Sequence, residues 1–233
     1  TDVIEIGVPR LLAEPERLQR LRPARPGVSI GHYQVSAGTL GAVVADVKTG
    51  ELLILSNNHV LANISDGEDG RAASGDPILQ PGVYDGGRLP DDLIGRLKRF
   101  VPLYRELERP SCNLARGTER VANALLRRLR PGYKVWFQRV TARENLVDAA
   151  VASVNSRESI DPEILGLGSI QGTAEAEPGL RVIKSGRTSG VTEGVIRAVK
   201  ATVRIQLGDL GFGVFVDQVV TTPMAQPGDS GSL

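Results

Sequence analysis

The sequence predicts an all-β protein of the barrel or sandwich class. From Val28 onward it breaks into many short β-rich runs separated by turn residues. Glycine, 27 of the 233 residues, supplies much of that punctuation. Only one stretch carries a convincing helical period.

Taken in order, residues 1–27 are polar, arginine-rich and interrupted by Pro9, Pro15, Pro23 and Pro26. They read as an N-terminal arm, either extended around the body or forming a short helix over 14–22. Runs 38–47 and 51–55 are two strands joined at Lys48-Thr49-Gly50, a hairpin that ends at His59. Strands at 76–79 and 93–100 alternate with the turn-rich stretches 66–75 and 81–90. Within 114–130, Leu114, Val121, Leu125 and Leu129 share one helical face, with Arg116, Arg120 and Arg127 elsewhere. A helix is atypical inside a small barrel, so this one reads as an insertion. Residues 155–162 are polar and break the strand following Asp148, which makes 155–163 a linker candidate. Strands resume at 180–184, 191–199, 202–207 and 212–221. The organisation expected is an arm (1–27), a first barrel (28–154), a linker (155–163) and a second barrel (164–233).

The formal charge is +1 and no apolar stretch reaches the ~18 residues of a membrane span, so neither a nucleic-acid nor a membrane partner is expected. The single cysteine, Cys112, excludes an internal disulfide. That removes a secretory signature and leaves the compartment open, the cytoplasm slightly favoured over export.

Three segments carry chemistry. Leu53-Ile54-Leu55-Ser56-Asn57-Asn58-His59-Val60-Leu61-Ala62 is an apolar strand that delivers a histidine where it gives way to a turn. Asn145-Leu146-Val147-Asp148-Ala149-Ala150-Val151-Ala152 embeds a carboxylate among small and apolar residues, a costly placement unless a positive or hydrogen-bonding group meets it. Gln226-Pro227-Gly228-Asp229-Ser230-Gly231-Ser232-Leu233 flanks a serine hydroxyl with glycines that permit a sharp turn. A hydroxyl is a poor nucleophile until a base takes its proton, and imidazole suits that task.

With His59, Asp148 and Ser230 in that order, the chain resembles the trypsin/chymotrypsin-like serine peptidase superfamily over roughly residues 28–233. The segments NNHVLA, LVDAAVA and PGDSGS correspond to its motifs, and the likeness is closest to disulfide-free bacterial and viral-type members. The resemblance selects two Greek-key six-stranded barrels, His59 and Asp148 from the first and Ser230 from the second. It implies an endopeptidase acting on protein or peptide substrates, an oxyanion site at the N–H groups of Gly228 and Ser230, and Met224 at the base of the specificity pocket. Asn57 and Asn58 depart from it, standing where small residues precede the histidine. The chain also stops three residues after Ser230, whereas the resembled fold continues with further strands. The expectation is that a C-terminal remainder or another strand-donating chain completes the second barrel, after cleavage following Leu233 by another copy or another protease. The alternative reading is a pseudo-peptidase or a processed binding module.

Other residues have bland readings. His32 reads as structural; 66–70 as a solvated turn rather than a calcium loop; Cys112 as an inert buried thiol; the Arg116–Arg130 cluster as a solvated helix face; 187–190 as a hairpin turn; Asp229 as a turn residue or internal ion-pair partner. No cofactor and no metal is called for.

Overall fold

The computed structural model describes residues 15–34, 37–108, 110 and 112–233. Most of the N-terminal arm, 1–14, lies outside them. In chain order the elements are α1 (Pro15–Leu18), β1 (Ser29–His32), β2 (Gly38–Thr39), β3 (Ala42–Ala45), β4 (Leu52–Ser56), α2 (Asn58–Leu61), β5 (Pro77–Leu79), β6 (Leu93–Phe100) and β7 (Leu107–Glu108). They continue with α3 (Asn113–Leu129), β8 (Arg139–Val140), β9 (Glu144–Asn145), β10 (Ala150–Val154), β11 (Arg181–Gly186), β12 (Gly190–Gln206) and β13 (Phe212–Thr221). The protein is mostly β, with two curled main sheets.

One compact unit comprises Thr1–Pro102, Val147–Val199 and Val219–Leu233. Its seven-stranded sheet has the order β2-β1-β5-β6-β10-β4-β3, antiparallel at each pairing. The apolar residues of these short runs meet in one core, where Val28, Ile30, Leu40, Ile54, Leu61, Ile78, Ile94, Leu97 and Ala152 are buried. Burial of this kind is the main favourable term holding the curled sheet together. The β3–β4 turn is fastened by Asp46, whose carboxylate accepts the N–H groups of Lys48 and Thr49 and pairs with Arg99. The Arg99 hydrogen bond comes first among the causes that lower its pKa to about 2. Residues 157–161 are bonded to Ala24, Ala24 N–H donating to Ser159 O and Asp161 N–H to Ala24 O. In the same unit β11 and the start of β12 form a hairpin turning at Gly186 and Gly190.

The other unit comprises Leu103–Leu146 and Lys200–Gln218. It contains the β7–β8 pair, the 17-residue α3, and β9 lying parallel to β13. Asn145 organises it: its side chain accepts the Tyr104 N–H and donates to the carbonyls of Tyr104 and Val214.

Strands β6 and β13 and helix α3 fall where the sequence reading put them. Two readings need correction. Residues 191–199 and 202–207 are one strand, β12, with the break in the pattern marked by Lys200 at φ +54°. Cys112 is exposed rather than buried, because it caps α3, its sulfur accepting the Ala115 N–H.

Candidate active site

Register alone brings His59 to Asp148. Strands β4 and β10 pair antiparallel with Ser56 opposite Ala150 and Leu53 opposite Ser153. Two residues beyond the last pair, Asp148 comes level with Asn58, beside His59. There β4 gives way to the single turn α2, which carries the histidine. The Asp148 carboxylate takes the His59 backbone N–H at 3.2 Å and forms a close hydrogen bond to ring Nδ1. An ionised carboxylate can only accept, so Nδ1 carries the proton, which in the neutral imidazole leaves the lone pair on Nε2.

The two asparagines that break the expected pattern support this arrangement. Asn57 donates to the Asp148 carbonyl at 2.6 Å. Asn58, fully buried, donates to the carbonyls of Ser65 and Val101 and accepts the Ser65 N–H, fixing α2 to the loop behind it.

Ser230 is held against the same sheet. The Thr39 N–H donates to its carbonyl at 2.7 Å, and Thr39 Oγ1 donates to the Gly228 carbonyl at 3.0 Å. A β-carbon on Gly38 would lie 2.3 Å from Val60 Cγ2 and 2.8 Å from Ser230 O, so β2 runs tightly between the residue after His59 and the serine turn. Gly231 has φ +91°, and a β-carbon there would meet Ser56 Oγ at 2.1 Å; only glycine fits. Among the described residues no hydrogen bond joins Ser230 Oγ to His59 Nε2. The structure thus brings His59 and Asp148 into contact and anchors Ser230 on β2, at the end of the same sheet. Such bonds are often long before substrate arrives.

Asp229 is an internal ion-pair partner, buried beneath the turn. One carboxylate oxygen accepts the N–H groups of Thr188 and Ser189, both at 3.0 Å. The other accepts Ser189 Oγ at 2.5 Å and the Gln226 N–H at 2.8 Å, with Lys184 Nζ 3.0 Å away. Burial is the largest influence and pushes its pKa up, but the hydrogen bonds from Ser189, Gln226 and Lys184 prevail and hold it below the usual carboxylate value. With Asp229 turned inward, the N–H groups of Gly228 and Ser230 on either side donate to no described residue. Gly228, at φ +99°, has the Arg187 guanidinium and Thr188 Oγ1 against its α-carbon, and Arg187 is itself paired with Asp85 at 3.0 Å.

Met224 lines a cavity of about 770 Å³ with Val191, Pro223 and Ala225, the polar members being Ser189, Thr192, Glu193 and Gln226. Thr192 Oγ1 donates to the Met224 carbonyl at 2.6 Å, and a β-carbon on Gly194 would collide with the Met224 sulfur. Glu193 is paired with Arg181 on the surface.

Of the remaining candidates, His32 is fully buried, its Nε2 3.1 Å from Asp76 and its Nδ1 accepting the Gln34 N–H. Burial lowers its pKa against the opposing pull of Asp76, which suits a neutral structural imidazole. Asp66 accepts the N–H groups of Glu68 and Asp69, making 66–70 a self-capped turn. Residues 187–190 form the β11–β12 hairpin turn. Sequence reasoning missed Lys184, Thr39, Ser56 and Arg187. Only the Asn57-Asn58 departure signalled that this histidine is held by its own set of bonds.

No protein-family model matches this sequence, and no curated protein does. Solved structures do. A Nocardiopsis protease aligns at TM-score 0.50 and 17% identity, over 89% of this chain and 77% of that one. A glutamic-acid-specific serine protease, described as using a histidine triad in substrate binding, aligns at TM-score 0.51 and 21% identity over the same shares. The chain has the double-barrel fold of the bacterial chymotrypsin-like serine proteases.

Proposed function

From this protease fold we infer that the chain is a serine endopeptidase working through His59, Asp148 and Ser230. The observation that carries the reading is the His59–Asp148 contact, which in the neutral imidazole leaves Nε2 as the acceptor, combined with the anchoring of Ser230 on β2 of the same sheet. In this scheme His59 Nε2 takes the Ser230 Oγ proton as the oxygen bonds to the scissile carbonyl carbon. The Gly228 and Ser230 N–H groups receive the developing oxyanion. His59 then gives its proton to the leaving amine, and a water activated by the same nitrogen hydrolyses the acyl-enzyme. Asp148 holds the imidazole in one tautomer and stabilises the imidazolium.

A second reading, a non-catalytic binding module on the same fold, draws on the lack of a Ser230–His59 hydrogen bond among the described residues. A fluorophosphonate separates the two. Stoichiometric adduct formation at Ser230, located by peptide mass mapping and lost on Ser230→Ala, supports the enzyme; folded protein that takes no label supports the binding module.

The cavity at Met224 supplies a substrate preference. The wall around Met224 offers no buried carboxylate to a lysine or arginine side chain, since Glu193, the one acid of the lining, lies at the surface paired with Arg181. Burying a cation there costs more than the contact returns. Peptides with apolar or small P1 residues are expected to be cleaved fastest in a profiling library. A library led by Lys or Arg at P1 would overturn this assignment.

A further inference from the structure

Helix α3 has an apolar face that the fold does not use. An amphipathic helix in a globular protein normally turns that face to the core. Here no residue of α3 is buried, and Leu114, Val121, Leu125 and Leu129 are 81%, 71%, 59% and 64% exposed. The segment that packs on the helix meets a different side. Asn123 exchanges two hydrogen bonds with the Val135 backbone, and Glu119 accepts the Phe137 N–H. At 100° per residue these contact positions lie well over a quarter turn from Leu125, so the leucine stripe stays clear.

The same stretch concentrates positive charge. From Asn113 to Arg143 there are eight Arg and Lys residues against one acidic residue, Glu119, whereas the whole chain sums to only +1. Arg116, Arg120 and Arg127 stand on the side opposite the stripe, and Arg128 borders it. Just beyond the helix Tyr133 and Trp136 are exposed, with Lys134 Nζ 3.9 Å from the centre of the Trp136 ring. Indole and phenol rings bordered by cations favour a headgroup region, where the ring body is half-dehydrated and the cation meets phosphate.

We propose that α3 and the following segment to Phe137 are a docking face for an anionic lipid surface, the helix lying flat in the interface with its leucine stripe among the acyl chains. The helix is too short and too charged to cross a bilayer, which fits a surface-lying role. Charge selects this occupant. Two copies of this segment, each with a surplus of seven positive charges, would repel one another, and nucleic acid would leave the aliphatic stripe in water with no use for it.

The test uses the intact chain, whose only tryptophan, Trp136, reports from within the face. The protein is floated with phosphatidylcholine vesicles with or without phosphatidylglycerol, while Trp136 emission is recorded. Flotation with the anionic vesicles about tenfold above that with neutral ones, a blue shift of Trp136, and loss of binding at high salt are expected. Val121→Glu with Leu125→Glu should abolish flotation and the blue shift. Arg127→Glu with Arg128→Glu should remove the anionic preference while leaving the stripe intact. All four positions are exposed, and circular dichroism checks that the variants stay folded. The proposal is overturned by equal flotation with both vesicle types, by anionic flotation that survives the Val121/Leu125 change, or by an unmoved Trp136 spectrum. It is also overturned if the wild-type chain ignores vesicles and instead binds nucleic acid, or dimerises through Val121 and Leu125.

Discussion

Ser230→Ala and His59→Ala are each expected to lower kcat on a soluble peptide or ester by about 10⁶, and the double variant by no more, because in the proposed scheme the two groups act as one unit. Neither change should unfold the protein. Ser230 is exposed at a turn held by its backbone through Thr39, and the His59 side chain is about a third exposed. Asp148→Asn should keep the shape and cost on the order of 10⁴ in kcat, since an amide facing Nδ1 favours the tautomer in which Nε2 is protonated and cannot act as base. Circular dichroism separates loss of chemistry from loss of fold. Wild-type turnover in Ser230→Ala would remove the serine from the mechanism, and near-normal kcat in Asp148→Asn would point to another orienting group.

Asp229→Asn is expected to lower both stability and activity. Lys184 Nζ, with a side chain only 10% exposed, would be left beside a neutral amide, and breaking a buried pair from one side costs about 3–5 kcal/mol. The turn that presents the Gly228 and Ser230 N–H groups hangs on the same carboxylate, so kcat should fall with it. The pH dependence has a definite sign. The folded pKa of Asp229 lies below its unfolded value of about 3.9, so its stabilisation is complete above that value and is lost as pH falls through the lower folded one. Denaturant titrations should therefore show the gap between wild type and Asp229→Asn widest near neutral pH and narrowing below about pH 4. A gap that stays constant from neutral to acid pH would mean that the charge contributes nothing. His32 adds a requirement of the same sign at a milder pH. Its folded pKa is lowered, so its neutral buried form begins to cost stability once pH drops below the unfolded value of about 6.5.

What the sequence could reveal of the site is what is local in it. A histidine at the end of an apolar strand, an aspartate before another, and a serine between turn-forming glycines are each written within about eight consecutive residues. The elements β6, β13 and α3 are likewise legible because their periodicities are short-range. The bonds that position those side chains are not local. Thr39 holds Ser230, Asn57 holds Asp148 and Lys184 faces Asp229, and each pair meets only because the fold brings segments distant in sequence together, the paired strands β4 and β10 in one case and the turn 226–231 folded against β2 and β11 in the others. Nothing in the composition around Lys184 or Thr39 distinguishes them from surface residues.

The sequence by itself determined the β class, the three residues to which the proposed chemistry is assigned and the existence of an amphipathic helix. Tertiary structure decided the rest. The constant sum of an antiparallel register, not any motif, sets Asp148 level with the start of α2 although 89 residues separate it from His59. Packing, not periodicity, decided whether the leucine face of α3 would be covered. A helical repeat specifies which side of a helix is apolar, but only the arrangement of the surrounding chain determines whether anything lies against it.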